Sequence, residues 1–356
     1  MKSEMKKEIK NTVMKTKCII GAIVLATVNC ILPTALNAQD FHLSQFDAAS
    51  QYMNPALTGM YLGELGDYKI ATAYRSQWKA LDTPRPFSTV YISYDTHKRY
   101  KEKKFGYGGY IANNRAGSGH FNTLDVMLSG AYDILQNSND HYLSAGLQMG
   151  IFQKSFDPVS YTYDVQYDPT TGNFNQSSPS QESGLDRYSI IRFDSHFGIH
   201  YKYFDSDKKW RPYAGFSVYH VNRPFENFIN KVERLPFRFN LNAGCDLILN
   251  DRFTIIPKIL YMNEARAHEM YFGLVGFYKM KDNNFQPMLG FDYRNKDAFV
   301  IEAGVKQDKH IFRISYDINT SYLKQFTGGR GALEFSLIIT GIKGQPLFVP
   351  PKSRIE

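Results

Sequence analysis

The side chains best equipped for chemistry in this sequence are few and far apart. His196 and His200 stand four residues apart, a spacing that on a helix places two imidazoles together and suits zinc. Their segment alternates at period two instead, and four residues of extended chain cover roughly 13 Å. The two rings then share a face without reaching one ion. Ser217 in Ala214-Gly-Phe-Ser-Val218 lacks the second glycine of a nucleophile elbow. Thr327-Gly-Gly-Arg-Gly331 has glycines but no Lys-Ser/Thr after them, so it reads as a loop before a strand and not as a phosphate cradle. Asp292 and Glu302 could meet, but carboxylates inside a barrel are solvated or paired with cations, and no acid–base role follows. Cys245 lies in an alternating run, 239–249, and reads as a small apolar filler. The sequence thus predicts no catalytic residue, no cofactor and no metal site.

What remains is recognition. The stretch 154–187 carries Tyr161, Tyr163, Tyr167 and Phe174 among Asp, Asn and Ser, and 223–235 carries Phe225, Phe228 and Ile229 beside Glu226, Lys231, Glu233 and Arg234. Aromatic side chains in polar connections of this length are costly to expose unless something covers them. Either a partner does so, or the rings pack on one another as a plug or lid. Arg223, in Asn222-Arg-Pro224, is placed to order its loop through hydrogen bonds or to meet a partner's carboxylate; a purely structural turn is the competing reading.

These residues need elements to hold them, and the elements repeat. Fourteen runs alternate at period two between turn residues: 67–79, 87–95, 104–113, 119–134, 141–153, 188–203, 210–222, 236–248, 252–262, 269–279, 285–293, 298–305, 310–318 and 331–341. In one, Leu124, Val126, Leu128 and Tyr132 oppose Thr123, Asp125, Ser129 and Asp133. In the next, Leu143, Ala145, Leu147, Met149 and Ile151 alternate with Ser144, Gly146, Gln148 and Gly150. A soluble sandwich or propeller and a transmembrane barrel both accept such runs. Soluble strands average about five or six residues, whereas a tilted membrane strand takes ~9–11, and most runs here reach the longer value. The count is even, and most even-numbered connections are short Asn/Asp-rich turns, as at Asn250-Asp251 and Gln307-Asp-Lys309. The two exceptions to the length alternation are a longer second connection, Thr96–Lys103, and a short eleventh near Asn295-Lys296. The expectation is an all-β chain forming an antiparallel transmembrane β-barrel of about fourteen strands. Closure follows because an open edge in lipid leaves backbone groups unpaired. Tyr68, Tyr91, Tyr94, Phe105, Tyr201, Tyr203, Tyr261, Tyr278 and Tyr293, near run ends, are expected in interfacial girdles.

Composition agrees. With 43% hydrophobic, 21% charged and 15% aromatic residues, including 26 Phe, 25 Tyr and 2 Trp, the chain is too apolar for a disordered protein. The mean hydropathy of −0.39 does not support a polytopic helical membrane protein. The net charge is +8, but residues 1–38 hold six Lys and two Glu and account for half of it. The remainder is too weak and dispersed for nucleic-acid binding. Residues 1–38 read as a signal peptide: a Lys-rich start ending at Lys17, an apolar run from Cys18, the breaker Pro33 and small residues to Ala38. A lipoprotein reading at Cys30 is the weaker alternative, since Asn29 suits it poorly. Residues 39–65 then form a leader at the periplasmic mouth, 66–342 the barrel and 343–356 a Pro-containing tail. Asn54-Pro55 initiates a turn that directs the leader into or across that mouth.

Several segments resemble the PorP/SprF family of type IX secretion outer-membrane proteins. They are Gln39-Asp-Phe-His-Leu-Ser-Gln-Phe46, Tyr52-Met-Asn-Pro-Ala-Leu-Thr-Gly59, Tyr74-Arg-Ser-Gln-Trp78, Ser93-Tyr-Asp95, Tyr163-Asp-Val-Gln-Tyr-Asp168, His220-Val-Asn-Arg-Pro224 and Gly331-Ala-Leu-Glu-Phe-Ser336. The likeness runs from about 39 to 340, and its Asn-Pro-Ala and Asn-Arg-Pro elements are the most diagnostic. It implies a fatty-acid-channel-like barrel in the outer membrane that works with type IX translocon components. Its partner would be a secreted cargo protein, such as an adhesin, recognised through that protein's C-terminal domain. A passive channel for hydrophobic small molecules is the alternative function and requires a continuous apolar lumen. An outer-membrane lipid or peptide hydrolase is a third, and no residue set supports it.

Overall fold

The computed structural model describes residues 40–60, 66–78, 87–101, 103–117, 121–135, 140–157, 162–175, 177–178, 189–205, 207–226, 233–281 and 284–344. Fourteen of its strands form the barrel wall: β1 (Tyr68–Gln77), β2 (Phe87–Tyr100), β3 (Lys103–Ala116), β4 (Phe121–Asp133), β5 (His141–Ser155), β8 (Ser189–Tyr203), β9 (Trp210–Tyr219), β10 (Arg238–Ile248), β11 (Phe253–Glu264), β12 (Ala267–Tyr278), β13 (Phe285–Arg294), β14 (Ala298–Gln307), β15 (His310–Asn319) and β16 (Arg330–Gly341). Between β5 and β8 a two-stranded hairpin, β6 (Tyr167–Asp168) and β7 (Asn173–Phe174), stands apart. All wall strands are antiparallel to their neighbours, and β1 pairs with β16 from Tyr68–Gly341 to Gln77–Ala332, which closes the sheet. The wall strands are 10–15 residues long, and each of the fourteen alternating runs contributes one of them.

The alternation places polarity opposite to that of a soluble protein. Val90, Ile92, Tyr94, Leu128, Leu147, Met149, Ile151, Phe193, Phe291 and Phe312 face outward and are exposed, Leu128 at 73%. Arg75, Gln148, Glu302, Glu334 and Asp317 point into the lumen and are buried. An apolar outer band around a polar interior is what lipid on the outside selects. Aromatic pairs mark the end of the barrel where the short connections lie: Phe105–Tyr132, Tyr203–Trp210 and Phe253–Tyr278, with ring centroids 4.9, 5.5 and 4.8 Å apart. Tyr91 departs from the expected girdle. It shares the lumen-facing parity of Thr89, Ser93 and Asp95 on β2 and is fully buried. Among the described residues no helix is long and apolar enough to cross a membrane.

The connections differ at the two ends. At one end, called here the turn end, strands are joined by 101–102, 134–140, 204–209, 249–252, 279–284 and 308–309. The β2–β3 connection is shorter than the sequence suggested, because β2 continues to Tyr100. At the loop end the joins include 156–188, 220–237 and 320–329, together with the two tight ones, 265–266 and 295–297.

Candidate functional site

The lumen is occupied by the chain's own leader. The peptide N–H of Asp40 donates to Glu264 at the loop end of β11 (3.0 Å). That of Gly59 donates to Asp95 (2.7 Å), whose β1 partner Lys69 is the strand's second residue, at the turn end. Between these points the leader runs down the inside of the barrel. The sequence placed 39–65 at one mouth. The described part fills the interior instead, because the wall offers it matched charges and acceptors at every level.

Near the loop end, Glu334 accepts the backbone N–H groups of Ser44 (2.8 Å) and Gln45 (2.9 Å), while Asp317 accepts the Ser44 hydroxyl (2.8 Å). Arg75 pairs with both carboxylates (Nη2–Asp317 2.7 Å, Nη1–Glu334 2.9 Å), and Arg294 adds a second cation on Asp317 (2.9 Å). One level down, Asp47 of the leader receives Arg313 (2.7 Å) and Lys258 (3.3 Å). Lys258 also lies 3.3 Å from Glu302 and 3.7 Å from Asp292. The two carboxylates singled out in the sequence therefore do share a site, as the partners of a buried ammonium. Buried ions need such pairing, since each carries a desolvation penalty of several kcal/mol.

Asn54 and Pro55 lie at mid-lumen. Ser50–Met53 forms one helical turn, and Asn54 caps the following 3₁₀ turn Pro55–Leu57, its side chain accepting from Ala56 N–H (2.9 Å) and donating to Ile199 O (2.9 Å). The turn expected from Asn-Pro thus forms deep inside the wall. Below it, Ser144 donates to Ala56 O (2.8 Å), and Thr58 and Ser129 share a hydroxyl contact of 2.6 Å.

The recognition residues are at the loop end. Tyr167 and Phe174 pair across the β6–β7 hairpin, centroids 5.2 Å apart and both rings exposed. Tyr163 is half-buried and begins the 3₁₀ turn Asp164–Gln166 that leads in. Asp168 binds the Thr170 N–H (2.8 Å) and Thr171 hydroxyl (3.0 Å), and these bonds hold its carboxyl below the usual carboxylate range. In the second loop, Asn222 extends the wall where β9 stops: its Oδ1 accepts from Ser195 N–H (2.9 Å) and its Nδ2 donates to Phe193 O (2.9 Å). Arg223, in left-handed backbone at φ 46, lays its exposed guanidinium over Phe237 (5.4 Å). Pro224 is buried and accepts from Leu235 N–H (3.0 Å). Phe225 bridges to Arg234, whose guanidinium covers its ring at 4.1 Å. Tyr161 and Phe228 lie outside the described residues. The two loops thus present separate clusters, the aromatic pair Tyr167–Phe174 and the cation–π pair Phe225–Arg234. His196 and His200 do not act together: His200 stacks near Tyr213 (6.0 Å). His196 belongs instead with Asp194 and His220.

A family model described as the type IX secretion system membrane protein PorP/SprF matches residues 35–338. The chain belongs to that family. As a PorP/SprF protein built as a closed barrel with an apolar outer band, it is an outer-membrane protein, and its family and fold are those of membrane barrels rather than enzymes. Among solved structures, this PorP/SprF barrel is similar to the toluene transporter TbuX of Ralstonia pickettii (11% identity, 82% of this chain and 92% of that one, TM-score 0.49). It is also similar to a FadL homologue of Pseudomonas aeruginosa (11%, 82% and 93%, TM-score 0.48) and to the monoaromatic hydrocarbon channel CymD (10%, 86% and 93%, TM-score 0.44). No curated protein sequence matches it.

Proposed function

We propose that this PorP/SprF protein is a plugged outer-membrane platform that binds, guides or anchors a secreted cell-surface protein of the type IX route, such as an adhesin. The observation that carries the reading is the leader. A passive channel for hydrophobic molecules needs a continuous apolar lumen, and here the axis is filled by Asp40–Met60 and lined by Arg75, Lys258, Arg294, Arg313 and their carboxylates. With the interior taken, recognition falls to the loop end, where Tyr167, Phe174, Phe225 and Arg223 project from ordered turns. By the parity of the connections that end faces outward and the turn end faces the periplasm, where translocon components would meet it.

The test is a mild-detergent pull-down of the tagged protein from its own envelope, with mass spectrometry of what accompanies it, alongside conductance in planar bilayers. The reading expects a secreted protein retained through its C-terminal domain, lost on Tyr167→Ala/Phe174→Ala, and no steady conductance. Open-channel current or uptake of hydrophobic solutes, without a retained cargo, would support the channel instead.

A further inference from the structure

Beside the leader's first described residue, at the loop end of the lumen, Asp194, His196 and His220 converge. Asp194 and His196 are two apart on β8 and so face the interior together. His220 follows β9 in left-handed backbone, φ 57, which turns its ring toward them. All three are buried, and one ligand-type atom from each lies within 4.8 Å of the others. Asp194 Oδ2 is 2.6 Å from His220 Nδ1 and 3.0 Å from His196 Nε2.

The other ring nitrogens are already engaged. His220 Nε2 stands 3.1 Å from Asp40 Oδ2, and His196 Nδ1 stands 2.8 Å from Gln148 Oε1, the Gln148 amide nitrogen pointing away to Gln51 O. A carboxylate oxygen and an amide oxygen accept only, so each ring donates its N–H on that side. A neutral imidazole then carries a lone pair on its second nitrogen. Both lone pairs are aimed at one anionic oxygen, an arrangement that repels unless positive charge sits among the three atoms. One extra proton, on His220 between Asp194 and Asp40, would relieve that contact but leave the His196 lone pair facing the same oxygen. A second would make two imidazolium rings with centroids 5.6 Å apart. One divalent cation satisfies all three donors at once.

We propose that Asp194, His196 and His220 bind a divalent transition metal ion, zinc by the chemistry of its donors, with Asp40 and Gln148 orienting the two imidazoles. Two neutral imidazoles and a carboxylate form a common three-residue zinc set with one position left for water. Ligand histidines characteristically give their remaining N–H to a carboxylate or carbonyl, as both do here. The water has a place: a cavity of about 20 Å³ borders Asp194, His196 and His220 and is also lined by Asp125 and Lys154, and one water needs roughly 10–15 Å³ by the same measure. Because Asp40 belongs to the leader, the ion would fasten the leader's beginning to β8 and to the end of β9.

The experiment uses the mature chain in detergent, purified on a tag free of histidine, stripped with chelator and titrated with Zn²⁺ against a fluorescent zinc indicator. Co²⁺ is followed in parallel by visible absorption. The proposal expects one ion per chain with Kd at or below about 1 μM and the intensified Co²⁺ bands of a low-coordinate site. His196→Asn and His220→Asn should each weaken binding by more than about 100-fold, while Asp40→Asn should retain one ion and weaken it about 10–100-fold. Heat-modifiable gel migration reports whether each variant is a folded barrel. Should the histidine variants fail to fold, Zn²⁺ must protect His196 and His220 of the wild-type chain from diethyl pyrocarbonate. A folded wild-type barrel that takes up no stoichiometric Zn²⁺ or Co²⁺, folded histidine variants that bind as tightly as it does, or unprotected histidines would each overturn the assignment.

Discussion

Gly146 on β5 and Gly198 on β8 are register partners, and together they form the bare patch of wall against which Asn54 and Pro55 are seated. A Cβ on Gly198 would stand 2.0 Å from Asn54 Oδ1, and one on Gly146 would stand 2.4 Å from the Pro55 carbonyl carbon. A strand glycine weakens pairing and is kept where another backbone comes close, and here the approaching backbone is the leader's.

Gly198→Val should therefore dislodge the leader while sparing the barrel. Overpacking of this kind costs about 1–3 kcal/mol, borne by the plug because the ring of strand pairs is closed without it. The expected outcome is steady conductance in planar bilayers and new protease cleavage between Asp40 and Met60, with heat-modifiable migration retained. Gly276→Ala, whose Cβ would meet only Leu289 O at 3.8 Å, is the control and should stay closed. A silent Gly198→Val would mean the leader does not depend on this seat.

The wall was legible in the sequence and the plug was not, for a physical reason. Alternation is a local signal, so Leu147, Met149 and Ile151 against Ser144 and Gln148 revealed both the strand and its two faces before any partner was known. The leader has no such period. Its place is set by contacts hundreds of residues away, such as Ser44 and Gln45 on Glu334, and a Glu in an alternating run looks the same whether it meets water or a peptide N–H. Gly106, Gly146 and Gly198, all at lumen-facing positions, were the available hint. Tyr91 differs from its expected girdle position for a related reason: it lies near a run end, but the parity it shares with Ser93 and Asp95 turns it into the lumen. His196 drew attention through the wrong neighbour, His200, because its companion His220 arrives from the next strand.

Arg75 holds the upper charge network together, so removing it should be severe. Arg75→Ala strands Asp317 and Glu334 with fewer cations in a buried site, and breaking such a pair costs about 3–5 kcal/mol. Urea unfolding monitored by tryptophan fluorescence in detergent should show this as a lowered midpoint. Arg75→Met/Glu334→Met, which removes charges of both signs, should recover part of the loss. A double variant no more stable than Arg75→Ala would show that Glu334 matters chiefly through the leader N–H groups it accepts.

Asn222 and Arg223 are neighbours with separable duties. Asn222→Ala removes the hydrogen bonds to Ser195 and Phe193 and should loosen 220–237 at about 1 kcal/mol each, seen as faster amide exchange in that loop. Among the described residues, Arg223→Ala loses only an exposed guanidinium over Phe237. It should leave exchange and unfolding nearly unchanged while reducing retention of the proposed secreted partner in pull-downs. Equal retention by Arg223→Ala and wild type would confine this arginine to the turn.

Ala265 closes the tight β11–β12 connection at φ 52, in the left-handed region where an L residue with a Cβ is strained by about 1–2 kcal/mol. Glycine there removes the strain but adds freedom to the unfolded chain, which returns roughly 0.4–1 kcal/mol. The two effects oppose and the first is larger, so Ala265→Gly should stabilise the barrel by about 0.5 kcal/mol. The same unfolding assay should register a small upward shift of the midpoint with an unchanged slope. A downward shift would mean that the hairpin's preorganisation in the unfolded chain outweighs the strain in the folded one.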